Sequence, residues 1–249
     1  MTNHRLSFFQ KKLRSLTKRF LANFVNQSDS FVVQHIPESM GRSPHPFSTL
    51  RSIWTHDNFQ NNNVDLVRLL FLQQTVEELL ERNIPGAFAE LGVYKGNSAK
   101  LFHELAPERK LYLFDTFTGF DAKDVLADPK RTIRKTSFLD TSLDQVRSFV
   151  GTAPQIQYCP GYFPASTTYL PEDERFALVH LDADLYQPTL AALHYFTPRL
   201  SPGGLVILHD YSSGAWPGVK QAVDEFIKGR PITLIRIPDK SGTAVFCPH

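Results

Sequence analysis

A chain of 249 residues with 42% apolar side chains is long and apolar enough to bury the core of one large α/β domain, which excludes a disordered protein. A net charge of +2 gives no pull toward nucleic acid, and two cysteines, Cys159 and Cys247, exclude a disulfide framework. No apolar run approaches the ~18 residues of a membrane span and charges interrupt any signal-peptide core, so the expected compartment is the cytoplasm.

In chain order, residues 1–28 carry six basic side chains and no acid, which leaves the remainder at −4. Residues 5–25 set Phe9, Leu13, Leu16, Phe20 and Phe24 at helical spacing. Such an arm is expected to pack on the core or on a second subunit, making a homo-oligomer, in preference to a membrane surface. Residues 26–60, broken by Pro37, Pro44 and Pro46, read as cover. The expected division is therefore 1–60 as arm and cover and 61–249 as the main domain.

Asn63 is expected to cap a helix running to about Glu81, with Val64, Val67, Leu70, Phe71 and Leu79 inward. From Gly86 onward strands alternate with helices, the pattern of a parallel sheet covered on both faces. The apolar run into Glu90 is the first strand, followed by a glycine-bearing turn and a helix capped by Asn97 or Ser98. Lys110–Asp115, Gln155–Cys159, Phe176–Asp182 and Leu205–Leu208 are the next four strands. Residues 121–137 read as a loop near the mouth, Ser142–Val150 and Val219–Lys228 as helices, and Pro198–Gly204 as a loop. Ile232–Ile237 and Ala244–Phe246 read as a closing antiparallel hairpin.

Ligands of such sheets bind beyond the carboxyl ends of the strands. Four strands here deliver acids to that end: Glu90, Asp115, Asp182 and Asp210. Glu90 would repel a diphosphate but attract a cationic ligand with a free amino group, which suits the sulfonium and ammonium of S-adenosylmethionine. Gly92 and Gly96 permit close backbone approach, so the cofactor candidates run through Glu90, Gly92, Val93, Tyr94, Gly96, Asn97 and Ser98. Asp115 follows at the spacing of an acid that meets a ribose diol, and Ser142 and Tyr162 are placed near the adenine. A nicotinamide oxidoreductase is the weaker alternative, because Tyr94 stands where G-x-G-x-x-G needs its second glycine. Asp182 and Asp210 close neighbouring strands and can hold Mg²⁺ in a site still open to substrate. His209 can ligate, act as a base or pack, and Asp184 is expected to cap the next helix.

The blocks Pro85-Gly86 with Glu90-Leu91-Gly92-Val93-Tyr94-Lys95-Gly96, then Leu181-Asp182-Ala183-Asp184-Leu185-Tyr186-Gln187-Pro188-Thr189, then Pro202-Gly203-Gly204 with His209-Asp210-Tyr211, resemble the macrocin O-methyltransferase (TylF/MycF-like) family. The resemblance runs from roughly Asn62 to Phe226. It implies a Rossmann-like class I methyltransferase fold: a mostly parallel seven-stranded sheet with a closing antiparallel hairpin and an N-terminal helical cover. It also implies S-adenosylmethionine as cofactor, Mg²⁺ on Asp182 and Asp210, and methyl transfer to a hydroxyl of a sugar or related small molecule. The family usually shows two adjacent aspartates where this chain has His209-Asp210. In this expectation Asp182 or His209 takes the hydroxyl proton, and residues 26–60 and 121–137 cover the acceptor. A catechol-type metal-dependent O-methyltransferase is the runner-up, and a non-enzymatic scaffold presenting the basic arm is the third reading.

Overall fold

The computed structural model describes residues 52–54, 65–127 and 137–248, all within one unit that spans His45–His249. The expected arm over 5–25, and the cover over 26–60 apart from 52–54, lie outside the described residues. Short apolar runs that are buried on both faces read as central strands of a parallel sheet. Five of them form one: β1 (Ala87–Leu91), β2 (Leu111–Asp115), β3 (Ile156–Pro160), β4 (Phe176–Leu181) and β5 (Leu200–Leu208). Two shorter strands, β6 (Ile235–Arg236) and β7 (Ala244–Phe246), complete the sheet in the order β3-β2-β1-β4-β5-β7-β6, with β7 antiparallel to both neighbours. The seven strands and the closing hairpin agree with the sequence reading. The hairpin's first strand is shorter than expected, and β5 begins at Leu200, so it absorbs most of the expected loop over Pro198–Gly204.

Side chains alternate across the sheet, and each face has its own core. Phe88, Leu111, Leu113 and Leu178 pack under α1 (Leu66–Glu81), α2 (Asn97–Leu105) and α4 (Leu143–Val150). Ala89, Phe114, Val179 and Val206 pack on the other face under α5 (Tyr186–Phe196) and α6 (Pro217–Ile227). Residues Ala122–Ala127, read as loop, form the short helix α3. Among the described residues no helix is long and apolar enough to cross a membrane.

Helix α1 corrects the sequence reading by a register. Its N-cap is Asp65, whose Oδ1 accepts from the amides of Val67 and Arg68. Leu69, Leu72, Val76 and Leu79 are buried, whereas Val67 is 44% exposed. The buried stripe also carries Arg68, one turn before Leu72, so a charge enters the sheet face through an otherwise apolar surface.

Candidate functional site

Strand order reverses between β1 and β4, and the crevice beyond their carboxyl ends is the topological switch point. There the parallel ladders run past the strands: the amide of Asp182 donates to Leu91 O at 2.8 Å, and that of His209 to Leu181 O at 2.9 Å. Adjacency of β4 and β5 thus sets Asp182 beside His209-Asp210. Gly92 has φ +88, and a Cβ there would lie 2.0 Å from the Asp182 carbonyl oxygen. Only glycine lets the β1 turn lie this close to the end of β4. Gly96 (φ +88) starts α2 in the left-handed region with no side-chain cap, so neither Asn97 nor Ser98 caps it as expected.

A cavity at this crevice is lined by Gly92, Tyr94, Asp115, Tyr162 and the group Asp182, His209 and Asp210. These are seven of the residues singled out from sequence. Glu90, Val93, Gly96, Asn97, Ser98 and Ser142 do not line it. Glu90 is fully enclosed: Ser98 Oγ donates to its Oε1, and His180 Nδ1 lies 2.8 Å from the same oxygen. Alternation along β1 explains this, because Phe88 and Glu90 both point under α1 and α2, while the cavity is reached at Leu91 and at Gly92 beyond the strand's end. Ser142 is spent as the N-cap of α4, accepting from the Gln145 amide at 3.3 Å.

Asp115 reaches the cavity, but its oxygens also brace the glycine turn. Oδ2 accepts from the amides of Val93 and Tyr94, both at 2.8 Å, and Oδ1 from Phe117 at 2.7 Å. Thr116 Oγ1 makes a fourth, longer contact to Oδ1 at 3.5 Å, the weakest of the bonds that fill the carboxylate's roughly four acceptor sites. Burial pushes the Asp115 carboxyl up, against the pull of these amides. Tyr162 donates to Asp124 Oδ1 at 2.9 Å, and burial with that bond raises its hydroxyl to about 12.

The charged half of the site is a continuous chain of side chains. From Glu90 it passes through His180 to Arg68, whose Nη2 lies 3.2 Å from His180 Nε2 and 2.8 Å from Asp182 Oδ2. His209 Nδ1 then lies 2.6 Å from Asp182 Oδ1 and 2.8 Å from Asp210 Oδ2. Burial opposes ionisation of Asp182, but the His209 and Arg68 charges outweigh it and hold its carboxyl well below the usual range. Burial and Arg68 pull His209 down, yet Asp182 and Asp210 prevail and raise it to about 9. Asp184 does not cap α5, whose N-cap is Leu185 with no side-chain bond. It is buried at φ +62, and burial with the Asp182 and Asp210 charges pushes its carboxyl well up.

The cation implied by the resemblance finds a fitting donor set. Asp182, His209 and Asp210 each offer an atom, all within 4.8 Å of one another. His209 is 9% exposed, and despite the nearby carboxylates neither ring nitrogen completes a hydrogen bond. A buried imidazole paired with two carboxylates through Nδ1 and left without a partner at Nε2 is a donor set that suits an ion.

Sequence reasoning missed Arg68, His180 and an aromatic rim. Phe120, Phe138 and Trp216 line the cavity, with ring centroids 5.0, 5.9 and 6.0 Å apart pairwise. The position of Arg68 on the stripe of Leu72, Val76 and Leu79 was a readable signal, because an arginine there needs a buried acid. The rim had none, since its three residues are far apart in sequence.

The sequence profile described as Macrocin-O-methyltransferase (TylF) matches residues 49–245. An 8-demethyl-8-(2,3-dimethoxy-alpha-L-rhamnosyl)-tetracenomycin-C 4'-O-methyltransferase of Streptomyces olivaceus is 33% identical over 201 residues, 75% of this chain and 74% of that protein. A demethyldecarbamoylnovobiocin O-methyltransferase of Streptomyces niveus is 30% identical over 176 residues, 66% of each chain. Among solved structures, that of the O-methyltransferase NovP superposes with a TM-score of 0.63 at 23% identity, over 96% of this chain and 98% of that one, and shares its fold.

Proposed function

Because this chain belongs to the macrocin O-methyltransferase (TylF) family and is an O-methyltransferase, we propose that it moves the methyl group of S-adenosylmethionine to a hydroxyl of a sugar or sugar-bearing small molecule. The relative that acts on a rhamnosyl tetracenomycin supports the acceptor class. Family membership displaces the nicotinamide and scaffold readings. The observation that carries the proposal is the meeting, in one cavity, of the Gly92 turn from β1 with the Asp182, His209 and Asp210 group from β4 and β5.

In this reading the donor lies along the Gly92–Tyr94 turn, and a ribose hydroxyl takes the place of the long Thr116 contact on Asp115. Glu90 acts at one remove, by anchoring Ser98 and His180 behind that turn. Asp182, His209 and Asp210 would hold a divalent cation, Mg²⁺ in the reading from resemblance, which supplies a lowered pKa for the acceptor hydroxyl. Ligation requires neutral imidazole. Loss of the His209 proton removes one of the charges that depress Asp182, and a bound dication would put its own charge in that place, so proton acceptance by Asp182 would rest on its position beside the hydroxyl and on the lowered hydroxyl pKa. The hydroxyl oxygen bonds to the methyl carbon as the carbon–sulfur bond breaks, and S-adenosylhomocysteine leaves. Arg68 holds Asp182 Oδ2, so the carboxylate keeps one orientation while Oδ1 stays toward His209. Alignment of donor and acceptor by such fixed groups can supply roughly 7–11 kcal/mol of the barrier.

Asp210→Ala is expected to abolish transfer of labelled methyl to rhamnosyl acceptors while S-adenosylhomocysteine still binds in calorimetry. Loss of that binding would place Asp210 on the donor side and overturn the assignment.

A further inference from the structure

Resting on the reading of Asp182, His209 and Asp210 as a cation site, the donor set says which cation it takes. Two of its three side chains are carboxylates and the third is an imidazole. His209 is 9% exposed and lines the cavity; its Nδ1 is ion-paired with Asp182 and Asp210, and its Nε2 is buried without a partner. A hard ion such as Mg²⁺ is held by charge and oxygen, and keeps most of its water. Two carboxylates suffice for such an ion, but here they offer it less than their full charge and oxygen. The imidazole adds no negative charge, and Arg68 spends one oxygen of Asp182 on a contact of 2.8 Å while placing a positive charge beside it. Imidazole nitrogen instead favours ions of borderline softness, whose affinity rises along the first transition row.

We propose that the site prefers a first-row transition dication, in the range Fe²⁺ to Zn²⁺, over Mg²⁺, and that His209 is the residue that sets this preference. Asp182 and Asp210 supply the charge that retains any dication. His209 supplies the selectivity, through a nitrogen bond that Mg²⁺ gains little from. The closeness of Arg68 sharpens the difference, because it weakens purely electrostatic binding and leaves the nitrogen bond untouched.

The test uses the full chain, stripped with a chelator and saturated with S-adenosylhomocysteine. It is dialysed against Co²⁺ or Mg²⁺, and bound metal is measured by mass spectrometry. Any site with carboxylates binds Co²⁺ somewhat better than Mg²⁺, so the reading is the ratio of the two affinities in the wild type against His209→Asp. The expected result is a ratio that falls by ~10-fold or more in His209→Asp. In the wild-type Co²⁺ complex, proton NMR is also expected to show a strongly shifted, solvent-exchangeable imidazole N–H. If His209→Asp does not fold, His209→Gln takes its place in the same ratio, with that signal as the check on ligation. Equal ratios, or a Co²⁺ complex without the shifted imidazole proton, would overturn the proposal while leaving a cation site in place. Failure of both ions to bind a protein that still binds S-adenosylhomocysteine would overturn the cation site itself.

Discussion

Arg68 is buried against Asp182 and His180, and its removal leaves a buried carboxylate without one of its two adjacent counter-charges. Breaking a buried pair from one side costs roughly 3–5 kcal/mol, because the remaining charge stays desolvated. Arg68→Met is therefore expected to lower unfolding free energy by about 3 kcal/mol in urea titrations, and adding Asp182→Asn is expected to return part of the loss. His209 gives a pH signature of the metal-free protein. Its folded pKa of about 9 lies above its ordinary value of 6.5. The stabilisation from its proton is complete below about pH 6.5 and disappears as pH rises through about 9, up to roughly 3 kcal/mol in all. Denaturant midpoints measured with a chelator present at about pH 6 and about pH 10 are expected to show this fall, and His209→Asn to flatten it. Residue types at strand ends were legible in advance: Asp115, Asp182, His209 and Asp210 all reach the cavity. The fate of Glu90 was not, since an acid reads the same whether its side chain points at a ligand or at a buried histidine.

At the scale of elements, the start of α1 ties two parts of the chain together. Asp65 caps the helix with Oδ1, and its Oδ2 accepts from the Lys240 amide at 2.6 Å. An N-cap substitution typically costs ~1 kcal/mol, so with the second bond Asp65→Ala is expected to cost about 1–2 kcal/mol in thermal or urea unfolding, with the sheet intact by circular dichroism. The strands of the parallel sheet were readable because continuous burial demands continuous apolar sequence. Their neighbours were less so. Asn63 and Asp65 are both good caps, and choosing the wrong one rotated the expected inner face of α1 away from Arg68. The early start of β5 at Leu200 was hidden by Pro202, Gly203 and Gly204, which usually end a strand.

For the molecule as a whole, the crevice at the ends of β1 and β4 gathers residues from several strands and connections, so its filling should register in global stability. A ligand at 100 times its Kd adds about 2.7 kcal/mol to a protein that binds only when folded. For a chain of this length that is a rise of roughly 5–10 °C in Tm, expected with S-adenosylhomocysteine and absent with a nicotinamide dinucleotide. Alternating strands and helices announced a parallel sheet, and acids at four strand ends announced the edge where the crevice lies, whereas the strand order emerged only in the structure. Acceptor preference was not legible in advance, because it depends on side chains that converge only in three dimensions.

Phe120, Phe138 and Trp216 come from separate connections, and none belongs to the carboxylate and imidazole group. Evolution, or an engineer, is thus free to redraw that aromatic frame piecemeal and reshape the mouth of the cavity, with the carboxylate and imidazole group left as it stands.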